Sequence, residues 1–383
     1  MQFNNIYIQD DLFANLAELL GKHINVDNLL LLSDANTSAA YHLYDLPVLV
    51  KRHVCLFAVP KVTLKAAKDL GNIARNYDAI LAVGSGSIND LAKYAAFYAG
   101  VPYVIIASAP SMNGYLSGNA SLYDGGIKQS YAALPPRALF ADLGVLQNAP
   151  KPLIAAGVGD VLCRSSVQYD MLFAHYITAS DYPSEIFAQM LALEQILLQK
   201  IDAGEDYVQA LMDCLIYGGV AMQQYGSSAP ASQSEHMLVH LLEMLEPDVA
   251  ELFHHGQLVG AASIMMLQLQ RNYNFAELKN KFNTDKFDAD SALAQHFDCE
   301  LLQQWRAEHE IKLANINVDV DVAKIQAELQ KCNILTANEL ANYLQKIGGE
   351  INFTQMGFAE NMQQIALYNS AFTRARFTIL DLI

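Results

Sequence analysis

Up to about residue 150 the chain alternates short apolar runs with polar or helix-patterned stretches. LLLLSD (29–34), VCLFAV (54–59), AILAVGSGS (79–87) and PYVIIASAP (102–110) are the clearest runs. Each is short enough for a strand and apolar on both faces, so the alternation predicts βαβ units and a mostly parallel, buried sheet. Beyond Pro150-Lys151-Pro152 the period changes to that of amphipathic helices. PSEIFAQMLALEQILLQKI and EDYVQALMDCLIYGGVAMQQ are two of them, and TANELANYLQKI opens with Thr336 three residues before Glu339, in capping-box order. The expectation is an α/β nucleotide-binding domain over 1–150 and an all-helical domain over 151–383, with no internal repeat.

Composition narrows the class. With 383 residues the chain is long enough for two cores, and 52% hydrophobic against 17% charged residues describes a folded protein rather than a disordered one. A formal charge of −16 without a basic stripe argues against nucleic acid or an anionic membrane surface as partner. The five cysteines (Cys55, Cys163, Cys214, Cys299, Cys332) are scattered and form no C-x-x-C pair, which fits a reducing compartment. MQFNNIYIQDD lacks a basic segment followed by an apolar core, and no apolar run is long enough to span a bilayer. The expectation is a cytoplasmic protein without membrane insertion.

Gly84-Ser85-Gly86-Ser87 lies between a predicted strand and a predicted helix beginning near Ile88. Glycines there allow backbone amides to approach a pyrophosphate, and the helix N-terminus supplies a favourable dipole. Asn89 stands where a G-x-G-x-x-G fingerprint has its third glycine, so the turn alone is a weak signal. A second loop, Ser108-Ala109-Pro110-Ser111, follows the next strand at the same carboxyl edge. Asp34 ends LLLLSD, where an acid accepts hydrogen bonds from an adenosine ribose and disfavours a 2′-phosphate; the structural alternative is a helix N-cap.

His236 and His240 in SEHMLVHLLEM are four apart and share a helix face, and His254 and His255 follow at the next predicted helix start. Two or three of these imidazoles, with the Asp160 carboxylate of GVGDVL, form a ligand set suited to a divalent metal with an open position, which implies catalysis. The structural alternative is a set of partly exposed helix histidines.

GSGSINDLAKYAA, SAPSMNGYLSG, AGVGDVL, GSSAPASQSEHMLVHLLEM, HHGQLVG and RARFTILDLI, in this order from about residue 80 to the end, resemble the sn-glycerol-1-phosphate dehydrogenases. That family belongs to the iron-containing alcohol dehydrogenase and dehydroquinate synthase-like superfamily. The resemblance implies a dehydroquinate synthase-like fold with a cleft between its domains and a homo-oligomer. It implies that Gly84, Ser85, Gly86, Ser87, Ile88, Ser108, Ala109, Pro110 and Ser111 hold NAD or NADP, with Ser117 nearby. Asp160, His236 and His255 would bind one divalent metal, most often zinc and in some relatives iron or nickel. His240 would serve the substrate as the catalytic group, Asn113 and Asp160 would also contact substrate, and His254 matches no ligand.

Three positions depart from the family. Asn113 replaces an Asp, Ala229 replaces the Arg of a Ser-Ser-Arg-Pro run, and Gln233 replaces a Gly. Asn cannot carry charge, and a missing guanidinium removes one clamp for phosphate or carboxylate; Lys93 is one remaining cation. The expected reaction is metal-dependent, NAD(P)-dependent reversible reduction of dihydroxyacetone phosphate to sn-glycerol 1-phosphate, a step of phospholipid metabolism. The alternatives are a dehydrogenase of an unphosphorylated polyol such as glycerol, a dehydroquinate synthase-like cyclase, which the Asp at 160 disfavours because that family has Glu there, and a catalytically inactive nucleotide-binding regulator.

Overall fold

The computed structural model describes residues 5–40, 50–56, 62–275, 278, 293–316 and 320–383. The strands are β1 (Ile6–Gln9), β2 (Leu29–Asp34), β3 (Val50–Leu56), β4 (Ala79–Gly84), β5 (Tyr103–Ala107), β6 (Asn119–Asp124), β7 (Ile127–Ala132) and β8 (Leu139–Asp142). The last three residues of VCLFAV lie outside the described residues. Six strands form one parallel sheet in the order β1-β8-β5-β4-β2-β3. Parallel pairing requires cover on both faces, and the apolar runs supply it. Leu29 and Leu31 of β2, Leu81 and Val83 of β4, and Val104 and Ile106 of β5 pack with Leu12, Leu16 and Leu20, the last two from α1 (Leu16–Gly21). α4 (Gly86–Ala99) packs on β4 and β2, with α3 (Leu64–Ala74) beside it; α2 (Ala35–Ala40) follows β2.

β1, β8 and the antiparallel β6–β7 hairpin add to the runs read from sequence. β1 and β8 are four residues long, too short for periodicity to register. The hairpin turns through Gly125 and Gly126, both with positive φ (57° and 87°), the backbone that a two-residue turn matched to strand twist needs.

The remaining helices are α5 (Leu143–Gln147), α6 (Lys151–Leu162), α7 (Arg164–Thr178), α8 (Ser184–Ala203), α9 (Val208–Tyr225), α10 (Ser234–Leu245), α11 (Pro247–Ala250) and α12 (His255–Asn272). They are followed by helices at Cys299–Ala314, Val322–Lys331, Ala337–Lys346 and Glu360–Asn369. Thr336 and Glu339 form the capping box that their spacing predicts. Packing divides the chain into an α/β unit, Met1–Gly157 with Gln199–Ser228, and a helical unit, Val158–Leu198 with Ala229–Ile383. A single boundary at 150 therefore falls near the end of the first segment, and 199–228 returns to the sheet-bearing unit. The reason lies on α9: ideal Cβ atoms at Gly218 and Gly219 would stand 3.0 Å from Asn113 Cβ and 2.9 Å from the Leu116 backbone nitrogen. Side chains on that face of α9 would displace the loop after β5.

In the helical unit one buried carboxylate ties three segments together. Asp170 on α7 accepts hydrogen bonds from the backbone N–H of Ser234, at the start of α10, from Gln270 Nε2 on α12, and from the backbone N–H of Ile379. Burial pushes its pKa up to about 7, with the nearby Glu235 charge adding to the rise and the bonds from Ser234, Ile379 and Gln270 limiting it. Among the described residues no helix is long and apolar enough to cross a membrane.

Candidate active site

In the α/β unit, β2 and β4 are neighbours, and the chain leaves them in opposite directions along the sheet, from β2 to β3 and from β4 to β5. This is a topological switch point, where ligands of open α/β sheets bind beyond the strand ends. β4 ends at Gly84, Ser85 is the residue before α4, and Gly86 opens that helix with its amides facing outward. The second loop is knitted to the first: Ser108 N–H donates to Gly84 O at 3.1 Å, and the Ser85 and Ser111 hydroxyls share a hydrogen bond. Tyr115, fully buried, donates its hydroxyl to Ala109 O at 2.7 Å and braces the loop from beneath.

Asp34 ends β2 and accepts the Thr37 N–H at 2.8 Å through Oδ1, so it caps the start of α2. The cap uses one carboxylate oxygen, and the ribose reading requires only the other. Ser117 is buried, receives a hydrogen bond from Lys93 Nζ at 2.8 Å and donates to Asn119 O, also at 2.8 Å. Lys93 donates as well to Gly114 O (2.7 Å) and Asn119 O (3.0 Å), which uses all three of its ammonium hydrogens. Burial lowers its pKa to about 8, with Asp90 3.7 Å away opposing the fall. Lys93 fastens the loop after β5 to α4 and has no hydrogen left for a phosphate.

The histidines gather in the helical unit. His236 and His240 project from one face of α10, and His255 opens α12. Ring centroids are 6.0 Å apart for His236 and His240, and 5.3 Å for His255 with either of them. Asp160 reaches this cluster because α6 and α12 touch backbone to backbone. A Cβ at Gly159 would lie 2.2 Å from Gly256 O and 3.3 Å from Gly260 Cα, so the glycines of AGVGD and HHGQLVG are what let the helices approach. The next residue along α6 then presents its carboxylate, with Asp160 Oδ1 3.5 Å from His236 Nε2. His254 stands apart as the residue capping α12, exchanging hydrogen bonds with Gln257.

Two acids not singled out in the sequence complete the cluster. Glu235 Oε1 lies 2.8 Å from His236 Nδ1, and Glu243 Oε1 lies 2.9 Å from His255 Nδ1. A carboxylate on Nδ1 holds the proton there and turns the Nε2 lone pair outward, the outer-shell arrangement of metal-binding histidines. Spacing contained a signal for Glu243, which follows His236 by seven positions and so shares its helix face. Burial works against a charged His236 ring, but Asp160 and Glu235 outweigh it and raise its pKa.

Two of the three expected ligands, Asp160 and His236, stand at the spacing a divalent ion needs, while His255 groups with His240 and Glu243. Asp160 Oδ1 and His236 Nε2 keep the separation that two ligands bound about 2.1 Å from one centre require, roughly 3.4 Å at a tetrahedral angle. Ligand atoms of His240, Glu243 and His255 also lie within 4.8 Å of one another, as do those of Cys163, Glu235 and His236. Cys163 is the poorest of these donors, because burial first, then Glu235 and Asp160, push its thiol pKa far up and keep it protonated. His240 differs from the other two rings: its Nδ1 faces Arg374 Nη2 at 2.8 Å. The guanidinium can only donate, so Nδ1 accepts, and a neutral His240 carries its proton on Nε2.

Residues 7–150 match the family model described as iron-containing alcohol dehydrogenase. The chain is 36% identical over 224 residues to a Thermococcus sibiricus glycerol-1-phosphate dehydrogenase using NAD(P)+, a match that spans 57% of this chain and 63% of that protein. It is 30% identical over 312 residues to the Bacillus licheniformis protein of the same name, covering 80% of this chain and 68% of the relative. Among solved structures, the NADH-dependent butanol dehydrogenase A of Thermotoga maritima superposes with a TM-score of 0.58 at 16% identity, over 97% of this chain and 90% of that one. This last likeness extends the shared fold to the helical unit.

Proposed function

We propose that this chain, which belongs to the glycerol-1-phosphate dehydrogenase family of the iron-containing alcohol dehydrogenases, catalyses the NAD(P)-dependent, reversible reduction of dihydroxyacetone phosphate to sn-glycerol 1-phosphate. The observation that carries the reading is the cluster of Asp160, His236, His240 and His255, with carboxylates seated on two of the three Nδ1 atoms. Asp160, His236 and His255 would hold the metal, which supplies Lewis-acid polarisation of the ketone oxygen when bound. His240 would point its Nε2–H as a hydrogen-bond donor at the oxygen that becomes the alcohol, whose proton would come from water, and Arg374 keeps the ring in this tautomer. Gly84–Ile88 and Ser108–Ser111 would receive the dinucleotide pyrophosphate, and the unused oxygen of Asp34 the ribose.

The purified protein, loaded in turn with zinc, iron or nickel, tests this by NADH and NADPH oxidation with dihydroxyacetone phosphate and with dihydroxyacetone. One retained phosphate contact gives roughly a tenfold to hundredfold higher kcat/KM for the phosphorylated ketone. Equal values, or a preference for dihydroxyacetone, would assign the chain to a polyol dehydrogenase instead.

The cofactor loop has its own test. A Cβ at Gly86 would meet nothing nearer than the flexible Met112 side chain at 3.4 Å, so Gly86→Val folds and its bulk occupies the space in front of the helix N-terminus. NADH affinity, followed by fluorescence, should fall by roughly a hundredfold or more as pyrophosphate loses amide contacts of about 1.5–3 kcal/mol each. Unchanged affinity would remove the pyrophosphate from this turn. In Asp34→Gly the NAD to NADP affinity ratio should drop; a constant ratio would leave Asp34 a helix cap alone.

A further inference from the structure

We propose that Arg374 receives the phosphate of the substrate and thereby sets the enzyme's preference for a phosphorylated triose, an inference that rests on the reading of the histidine cluster as the catalytic site. Arg374 sits in extended backbone just after the turn at Ser370–Thr373. Its guanidinium has five N–H donors, and among the described residues its one hydrogen bond runs to His240 Nδ1, a neutral acceptor. No carboxylate lies within ion-pair distance of it among the described residues, although the chain has 40 acids against 24 basic residues. The acid whose charge acts on it is Glu235, and that carboxylate is already engaged. Oε1 accepts from Gln233 N–H and His236 Nδ1, and Oε2 from the Ser166 hydroxyl.

A guanidinium that is largely removed from water and lacks an anion is costly, and an anionic ligand relieves that cost. Burial lowers the pKa of Arg374, while the Glu235 charge works in the opposite direction. Other candidates for the phosphate contact drop out. Lys93 has spent its hydrogens inside the α/β unit, and position 229, where the resembled family has Arg, is a buried Ala. Arg376, two residues on, donates to Ser232 O.

The chemistry of the substrate agrees with this placement. One methylene separates the phosphate ester oxygen of dihydroxyacetone phosphate from its ketone carbon. The cation that takes the phosphate must therefore stand beside the group that serves the ketone oxygen. Arg374 is bonded to that group, His240, and its planar fork suits two phosphate oxygens at once.

The test uses the full-length, metal-loaded enzyme and compares Arg374→Gln and Arg374→Lys with wild type on both ketones. Arg374→Gln should lower kcat/KM on both ketones, since it removes the bond to His240, but the loss on dihydroxyacetone phosphate should exceed that on dihydroxyacetone by about tenfold to a hundredfold. Arg374→Lys, which keeps the charge and loses the fork, should fall between and serves as the test if the Gln variant does not fold. Equal losses on both ketones would overturn the proposal and leave Arg374 as a positioning residue for His240, and no loss on either would overturn it as well. Titration with inorganic phosphate by calorimetry separates this inference from the reading beneath it. If wild type turns over neither ketone, the catalytic reading fails, yet phosphate binding that disappears in Arg374→Gln still supports the anion site. Phosphate binding that is absent from wild type or unchanged in the variant refutes it.

Discussion

Asp160→Ala and His236→Ala should each leave the purified protein with little bound metal, while His240→Ala keeps close to one ion per chain and loses rate. Asp160 Oδ1 and His236 Nε2 face one another at 3.5 Å inside the helical unit, so on the proposed ligand set removing either would take away a ligand. The Nδ1 of His240 is occupied by Arg374, and its proton lies on Nε2, the atom a ligand would need bare. Lewis-acid polarisation contributes several kcal/mol, so the two ligand variants should lose roughly a thousandfold or more in kcat. Glu243→Gln is the finer probe. It replaces the acceptor on His255 Nδ1 without touching a ligand, and such changes typically weaken metal affinity by about tenfold to a hundredfold. Elemental analysis after dialysis against a chelator reads all four variants. Metal retained by Asp160→Ala and His236→Ala, or lost equally from His240→Ala, would require a different ligand set.

The sequence made part of this arrangement legible, and the part it hid has a physical cause. Buried parallel strands announce themselves as apolar runs, so β2, β4 and β5 were readable, whereas four-residue β1 and β8 carry too few positions for a period. His236 and His240 follow from helical spacing, and His255 with Asp160 from motif order. Glu235 looks like an ordinary solvated helix residue until the fold buries it on a histidine nitrogen, and Glu243 is marked only by its seven-residue spacing from His236. Arg374 stands 134 residues beyond His240, and no local rule relates the two. The return of 199–228 to the α/β unit depends on Gly218 and Gly219, which read in sequence only as weak points in a helix.

Gly159→Ala should unfold the protein at a lower temperature and weaken metal binding together, although the substitution adds one methyl group and favours helix. The new Cβ would stand 2.2 Å from Gly256 O, a backbone atom that no rotamer change can move, and 3.3 Å from Gly260 Cα. α6 and α12 must then part by about 1 Å along their contact. Overpacking of this kind costs about 1–3 kcal/mol, which for a chain of 383 residues lowers Tm by roughly 1–4 °C. Parting these helices also carries Asp160 on α6 away from His255 on α12, so metal affinity should fall even at temperatures where the variant is fully folded. Gly21→Ala is the control, because its Cβ meets nothing within 4 Å and should leave both properties as they are. A Gly159→Ala protein that melts and binds metal as wild type does would show that the two helices do not need this approach, and that Asp160 is brought to the histidines by some other contact.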